Sequence, residues 1–211
     1  MLSIIKLNKK LKEKIKFLIM KNLNFITRNI EEHKKAIQII FKKPFLIKIF
    51  TAAKIISNSI KKNKTIFWCG NGGSASDSMH LSAELIGRFK KKRKPFKSVS
   101  LANDAATLTC IANDYGFENI FSRQIEALGS SGDVLIAIST SGKSKNIINS
   151  INIAHKKKMK VITLLGNNGG RCKNKKNLNL IVGLKTTSRI QEMHILIGHI
   201  LCDLIENNIK Q

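Results

Sequence analysis

Two residues with acid–base chemistry, His80 and Glu84, stand four positions apart in a stretch that follows a glycine-rich run, Gly70-Asn71-Gly72-Gly73-Ser74. Glycines after a strand let the backbone turn sharply and present its N–H groups to an anion, and the positive end of a following helix adds to the attraction. Because residues i and i+4 share one face of a helix, the imidazole and the carboxylate point to a common spot about two turns above the loop. This pattern is typical of an enzyme that acts on a phosphorylated small molecule.

A second polar loop, Ser139-Thr140-Ser141-Gly142-Lys143-Ser144, follows another apolar run. Its four hydroxyl groups, together with the backbone amides at the start of a helix, suit a phosphate monoester. The GxxxxGK[ST] spacing of a nucleotide-binding P-loop is absent. An ordinary Ser/Thr cap at a helix start is the plainer interpretation, but four hydroxyls in six positions favour phosphate binding.

Apolar runs and helical patterns alternate through the rest of the chain. The predicted strands are Lys64–Cys69, Lys97–Leu101, Val134–Ser139, Val161–Leu165 and Leu178–Val182, and the predicted helices are Ala75–Phe89, Ala105–Ala112, Asn119–Leu128, Ser144–Lys157 and Thr187–Glu206. Alternation with continuously apolar strands predicts an α/β fold, a three-layer sandwich around a central, mostly parallel five-stranded sheet. Both polar loops follow strand carboxyl ends, where such sheets bind ligands. We therefore expect the two loops to share one site.

The amino-terminal part of the chain precedes this alternation. The sequence of residues 1–20 predicts a basic, helical extension. The sequence of residues 21–60 predicts two helices, with Pro44 in the first turn of the second helix. We expect residues 21–211 to form a single domain, in which residues 21–62 are a helical lead-in and residues 63–211 are the sheet and catalytic core.

The composition limits the classes of protein to which the chain can belong. The formal net charge of +25 raises the possibility of a nucleic-acid binder, but the charge is scattered and mostly lysine, and one Trp and one Tyr leave few rings to stack on bases. The chain has four cysteines, none of which forms a CxxC pair, and each lies in or beside an apolar run: Cys69, Cys110, Cys172 and Cys202. This pattern favours free cysteines in the core over disulfides or zinc ligands. No stretch is long and apolar enough for a membrane span or a signal-peptide core. We expect a cytoplasmic protein with no nucleic-acid or membrane partner.

The last predicted helix carries polar residues on an otherwise strongly apolar segment. Gln191, His194 and His199, each taken alone, are best interpreted as polar groups at the edge of the core. His199, however, stands between Gly198 and Ile200, where a titratable ring needs a partner. His80 and Glu84 could supply that partner in an acid–base or metal setting.

Four segments, taken together and in this order, resemble the phosphoheptose isomerases of the sugar-isomerase (SIS) superfamily: CGNGGSASDSMHLSAEL, ANDYGFENIFSRQ, ISTSGKSKNI and RIQEMHILIGH. The resemblance runs from about residue 30 to the carboxyl terminus. The glycine loop and the STSG segment alone would mark only the superfamily, in which the fold is a flavodoxin-like SIS domain.

The resemblance implies roles at the matching positions. Glu84 and His199 would be the acid–base pair, and His80, Glu84, Gln191 and His199 would bind one zinc ion. The sugar phosphate would contact Glu84, Gln191 and the following residues: Asn71, Gly72, Gly73, Ser74, Asn113, Asp114, Ser139, Thr140, Ser141 and Ser144. The implied reaction converts sedoheptulose 7-phosphate to D-glycero-D-manno-heptose 7-phosphate through an enediol, the first step towards ADP-heptose and the lipopolysaccharide core.

The spacing of two of these residues bears on assembly. Gln191 and His199 are eight residues apart, about 12 Å along an ideal helix. Metal ligands must converge to about 3 Å of one another. We therefore expect a neighbouring subunit to contribute to the site, as the tetrameric assembly of the family would allow.

The sequence departs from the family pattern at Ser188, where some relatives carry an acidic residue, so a substrate contact there is in doubt. The principal alternative is a non-catalytic SIS protein that binds a sugar phosphate or a replication-initiation partner, which would not need Glu84 and His199. An isomerase of another phosphosugar is a further alternative. A basic nucleic-acid binder rests on charge alone.

Overall fold

The structure is a computed structural model that describes the backbone of residues 9–209 and the side chains from residue 11. These residues form seven α-helices, two short 3₁₀ helices and one five-stranded sheet. The elements are α1 (Lys9–Ile40), α2 (Lys43–Lys61), β1 (Ile66–Cys69), α3 (Gly73–Ile86), β2 (Ser98–Ser100), α4 (Ala105–Tyr115), a 3₁₀ turn (Phe117–Asn119), α5 (Ser122–Leu128), β3 (Val134–Ser139), α6 (Lys145–Lys156), β4 (Lys160–Gly166), a 3₁₀ turn (Gly170–Cys172), β5 (Leu178–Val182) and α7 (Thr187–Asn208).

The sheet has the order β2-β1-β3-β4-β5, and every neighbouring pair is parallel. Alternate residues of each strand face opposite layers. Ile66 and Trp68 of β1 pack with α1, α2, α3 and α7, whereas Phe67 and Cys69 pack with α4, α5 and α6. The predicted three-layer α/β sandwich is confirmed, and burial on both faces explains why the strands are continuously apolar.

Helix α3 follows β1 on one face of the sheet, and α6 follows β3 on the other. Strands β1 and β3 are neighbours. The chain therefore reverses its winding direction between β1 and β3, and their carboxyl ends flank the crevice where open α/β sheets bind ligands. Both polar loops lie at this point.

The element boundaries differ from the sequence-based ones by a few residues. Helix α3 begins at Gly73 rather than Ala75 and ends at Ile86. Helix α4 extends to Tyr115, because Gly116 with φ +84° is the first residue that leaves the helical backbone. The predicted helix from residue 119 begins only at Ser122, after a 3₁₀ turn.

Helix α1 runs without a break from Lys9 to Ile40, across the predicted boundary after residue 20. Residues 1–8 of the predicted extension lie outside the described residues. Pro44 stands in the first turn of α2, as predicted. None of the helices that the structure describes is both long enough and apolar enough to cross a bilayer.

All four cysteines are free. Cys69, Cys172 and Cys202 are buried, as the apolar context predicts. Cys110 is exposed on α4, so its prediction as a core residue is wrong. The apolar residues around it belong to the inner face of α4, whereas Cys110 lies on the outer face and contacts Asp114.

Candidate active site

The glycine run after β1 forms a tight turn into α3. Gly72 adopts φ +55°, a left-handed conformation that suits glycine. A Cβ atom added to Gly73 would lie 2.5 Å from Nε2 of Gln191, so the start of α3 is in direct contact with the Gln191 side chain. At the start of α3, the backbone of Gly72 and Gly73 therefore carries no side chains, and the amide of Gln191 lies against it.

The second loop, from Ser139 to Ser144, is held by its own hydroxyls and by a neighbouring loop. The Ser139 hydroxyl accepts a hydrogen bond from the Gly142 N–H at 3.0 Å. Gly142 has φ +64°, and a Cβ atom there would lie 2.2 Å from the carbonyl oxygen of Gly169. Ser144 is the residue before α6, and its side chain makes no capping hydrogen bond. Its hydroxyl and the N–H groups of the first two residues of α6 are thus available to a phosphate group, whereas the third N–H, of Ile147, donates to Oδ1 of Asn146 at 2.9 Å.

A pair of asparagines joins the two loops. The Asn71 amide donates to Oδ1 of Asn146 at 3.0 Å, and the Asn146 amide donates back to Oδ1 of Asn71 at 2.9 Å. Asn146 is buried in the first turn of α6. The sequence-based interpretation had not assigned it a role, although it lies two residues after the hydroxyl loop. The reciprocal bonds confirm that the two loops lie together at the crevice.

The imidazoles of His80 and His199 meet between α3 and α7, with 3.2 Å between their Nε2 atoms. Oε1 of Glu84 also lies 3.2 Å from Nε2 of His80. Gly198 makes this approach possible, because a Cβ atom there would lie 2.4 Å from Leu81 of α3. The His80 side chain is 49% exposed and that of Glu84 is 26% exposed, so both can be reached by a small molecule. His199 thus contacts His80, and His80 in turn lies beside Glu84.

The geometry of this cluster partly fits a metal ion. Donor atoms of a tetrahedral zinc site, with bonds of about 2.0–2.1 Å, are about 3.3 Å apart, close to both 3.2 Å distances from His80 Nε2. Imidazole nitrogens and a carboxylate are also suitable zinc donors. Among the described residues, however, no group of three or more His, Cys, Asp and Glu side chains is arranged so that it could hold a metal ion.

Gln191 does not join this cluster within one chain. It contacts Gly73 at the start of α3, whereas the histidines meet near Leu81, about two turns further along the same helix. The separation of Gln191 and His199 expected from their spacing is therefore present. A site with Gln191 as the fourth ligand is not formed by this single chain.

The remaining predicted substrate residues lie on other elements. Asn113 and Asp114 are exposed at the end of α4, where the Asn113 amide donates to Oδ1 of Asp114 at 2.7 Å. Thr140 accepts a hydrogen bond at its carbonyl oxygen from Asn167 at 3.1 Å. Ser188 is exposed in the first turn of α7. Ser141, which is half-buried, lines a cavity of about 490 Å³ with Asn167 and other residues of the loops after β4 and β5.

Asp77 is a further charged group near the site that the sequence-based interpretation did not include. It lies one turn before His80 on α3, and its Oδ2 is buried without a hydrogen-bond partner among the described residues. Burial raises the pKa of Asp77 to about 6, although the charge of His80 acts in the opposite direction. Its i, i+3 spacing to His80 is the signal that could have identified it.

The fold and these two loops define an α/β protein in which a glycine loop and a hydroxyl loop lie together where the sheet changes winding direction, an arrangement that suits a small phosphorylated ligand. A model of the SIS domain family matches residues 31–166. The phosphoheptose isomerase of Nitratiruptor is 46% identical over 186 residues, which cover 88% of this chain and 99% of that protein. The chain therefore belongs to the SIS domain family and, within it, to the phosphoheptose isomerases.

Solved structures agree with this assignment. A phosphoheptose isomerase from Francisella tularensis has a TM-score of 0.83 at 36% identity, with 88% of this chain and 98% of that chain covered. The phosphoheptose isomerase of Neisseria gonorrhoeae has a TM-score of 0.79 at 37% identity, with 90% of this chain and 99% of that chain covered.

Proposed function

We propose that this protein converts sedoheptulose 7-phosphate to D-glycero-D-manno-heptose 7-phosphate. The observation that carries the proposal is the meeting of His80, Glu84 and His199 between α7 and α3, the helix that begins at the glycine loop. Isomerisation between a ketose and an aldose requires acid–base groups close to a phosphate anchor, and the relatives named phosphoheptose isomerase agree with this reaction.

The reaction moves one proton between neighbouring carbons and a second proton between their oxygens. Glu84 acts as the base that takes the carbon-bound proton, which gives an enediol, and returns a proton to the neighbouring carbon. His199 moves the proton between the two oxygens. The short distances from both residues to His80 support a common reacting centre.

The phosphate end of the substrate occupies the two loops. The hydroxyls of Ser139, Thr140, Ser141 and Ser144 and the free amides of α6 hold its oxygens. At the start of α3, the sugar is lined by Asn71, Gly72, Gly73, Ser74 and Gln191. On the side of α4, the sugar contacts Asn113 and Asp114. A ligand held at one end in this way has its sugar carbons fixed in position relative to the two loops.

We further propose one zinc ion per subunit, held by His80, Glu84, Gln191 and His199. When bound, zinc polarises the substrate carbonyl and stabilises negative charge on its oxygen. The 3.2 Å donor spacing around His80 supports the first part of this ligand set. Since Gln191 lies beside Gly73 of its own chain, we propose that the fourth ligand comes from another subunit.

The proposed assembly is a homotetramer with sites at subunit interfaces. Its support is the number of large apolar side chains that the single chain leaves exposed on α1, on α2 and between them. They are Leu11, Ile15, Phe17, Leu18, Ile19, Met20, Leu23, Phe25, Ile26, Ile30, Phe41, Leu46, Ile47 and Phe50. An exposed apolar surface of this extent is typical of a protein–protein interface. In the cell we place the enzyme in the cytoplasm, at the start of heptose supply for lipopolysaccharide.

The decisive experiment measures turnover of sedoheptulose 7-phosphate by the purified protein, with and without added zinc, and identifies the product by NMR. We expect the heptose 7-phosphate to form, to disappear after chelation and to return with zinc. A folded protein that binds the sugar phosphate but forms no product under either condition would contradict the proposed reaction and favour a non-catalytic SIS protein.

A mixing experiment tests the shared site. Glu84→Gln and Gln191→Ala variants are each expected to be inactive. If one site combines Glu84 of one chain with Gln191 of another, coexpression of the two variants creates some sites with both native residues, and a measurable fraction of activity returns. Absence of any recovery in mixed oligomers would show that each chain builds its own site.

A further inference from the structure

An aromatic ring lies against the imidazole of His199. The rings of Phe89 and His199 are stacked, with 5.5 Å between their centroids and 23° between their planes. The His199 ring also meets His80 in a tilted arrangement, with 5.1 Å between centroids. Phe89 is half-buried and packs against the main hydrophobic core, so its own position is restricted. The ring of His199 thus contacts two other rings, one of which is fixed by the core.

Phe89 lies on the segment that joins α3 to β2, and Glu206 anchors this segment to the end of α7. The Glu206 carboxylate accepts hydrogen bonds from the backbone N–H groups of Phe89 and Lys90 at 2.9 Å and of Lys91 at 3.0 Å. It also accepts a bond from Nε of Arg93 at 2.8 Å. The side chains of Arg93 and Glu206 are only 5% and 1% exposed.

Arg93 extends the same network to the helix that carries Glu84. Its guanidinium donates to two backbone carbonyls in the last turn of α3, that of Glu84 at 2.7 Å and that of Leu85 at 2.9 Å. The Leu85 carbonyl also accepts a hydrogen bond from the Phe96 N–H at 3.0 Å. The ring of Phe96 lies beneath it, 4.0 Å from the guanidinium carbon. One buried ion pair therefore ties the end of α3 to the end of α7.

We propose that Phe89 is a positioning residue that fixes the orientation of the His199 imidazole, and that Glu206 and Arg93 hold Phe89 in place. A planar ring stacked on an imidazole restricts rotation about its χ2 angle, which keeps Nε2 directed towards His80. This inference rests on the proposed function only for the role of His199 in proton transfer. The stacking of Phe89 on His199 is present in the protein without substrate. An anchor with a purely structural role would stabilise the segment without affecting the His199 ring.

The direct test is the NMR signal of the His199 Cε1–H group in full-length protein as purified, with ¹³C-labelled histidine. A stacked phenyl ring shifts this signal upfield. Phe89→Leu should remove that shift, and Phe89→Tyr, which keeps the ring, should retain it. An unchanged His199 signal in Phe89→Leu would overturn the proposal whether or not the protein turns over any heptose phosphate.

Kinetics of the same variants separate positioning from stability. With Phe89→Leu we expect kcat to fall about tenfold, because misorientation of a proton-transfer group lowers the rate of the chemical step, while KM changes by less than about twofold. Phe89→Tyr should recover most of kcat. Equal kcat for Phe89→Leu and the native enzyme would overturn the positioning role, even if the NMR signal moves.

Glu206→Gln tests the anchor, and Asp203→Asn is the matched control, because Asp203 pairs with Lys90 of the same segment but at an exposed position. Glu206→Gln should move the His199 signal in the same direction as Phe89→Leu, and Asp203→Asn should leave it in place. Equal signals in both variants would overturn the role of Glu206. If Glu206→Gln does not fold, Arg93→Lys is compared with Asp203→Asn instead. Arg93→Lys changes the ion pair with Glu206 but keeps the positive charge at residue 93.

Discussion

At the scale of single residues, the proposed chemistry depends on Glu84 and its neighbours. Glu84 lies one turn after His80 on α3, and His199 reaches the same point from α7. The i, i+4 spacing is local, so the sequence predicts the first pair directly. The histidine pair, by contrast, joins residues 119 positions apart and requires the packing of α7 on α3.

Substitution of Glu84 by glutamine tests its role as the base. The amide keeps the size of the side chain but cannot accept the carbon-bound proton, so we expect a loss of kcat of about 10²–10⁴-fold. Thermal melting and sugar-phosphate binding should stay close to native values, because Glu84 is partly exposed. Glu126→Gln, at an exposed position on α5, is the control and should leave kcat unchanged. Near-native kcat for Glu84→Gln would contradict the mechanism.

At the scale of elements, the site depends on loops that two neighbouring strands present side by side. Strands β1 and β3 are paired in parallel, with Cys69 opposite Ala137. Their loops are then joined by the Asn71–Asn146 pair and supported from the next loop by Gly169. The sequence predicts the strands and the hydroxyl loop, but the side chains that join the loops follow only from the strand order.

Asn146→Ala should separate the two loops. Loss of two part-buried hydrogen bonds, each worth about 1 kcal/mol, should raise KM for the sugar phosphate by about tenfold or more, because the proposed phosphate-binding loop is no longer held against Asn71. Asn149→Ala is the matched control on the same helix, since its amide donates to the carbonyl of Glu118 away from the loops. Equal KM values for the two variants would show that the pair is not needed for binding.

Gly142→Ala should distort the second loop. The added methyl group would overlap the Gly169 carbonyl, and φ +64° is itself unfavourable for alanine. We expect the free energy of unfolding in urea to fall by at least about 2 kcal/mol. Gly183→Ala serves as the control, because a Cβ atom there meets no atom within 4 Å. Similar unfolding midpoints for both variants would contradict the close packing of the two loops.

At the scale of the whole molecule, buried ionisable groups make stability depend on pH. His194 of α7 is fully buried, and among the described residues neither of its ring nitrogens has a hydrogen-bond partner of good geometry. Burial lowers the pKa of His194 to about 4, with the Leu165 backbone acting weakly in the opposite direction. Burial alone would raise the pKa of Glu206, but three backbone N–H donors and Arg93 lower it to about 2.

We expect acid to destabilise the fold. The neutral His194 ring is favoured in the folded state, so its contribution is fully present above pH 6.5, the pKa of the unfolded chain, and is lost as the pH falls to about 4. The loss amounts to about 3 kcal/mol. Urea unfolding of His194→Leu should show a flatter pH profile over this range than that of the native protein. An unchanged slope in His194→Leu would contradict a buried neutral His194.

The sequence by itself determined the strands, the glycine and hydroxyl loops, and the His80–Glu84 pair. These features depend on backbone sterics and on the period of apolar residues, which act over a few neighbouring positions. Only the tertiary structure decided that His199 meets His80, that Asn146 joins the loops and that Phe89 stacks on His199. Such contacts require two elements to pack with a particular offset along their axes. This offset is set by close contacts such as that between Gly198 of α7 and Leu81 of α3. The same packing puts Gln191 beside Gly73, away from the histidines, because eight residues of α7 separate Gln191 from His199.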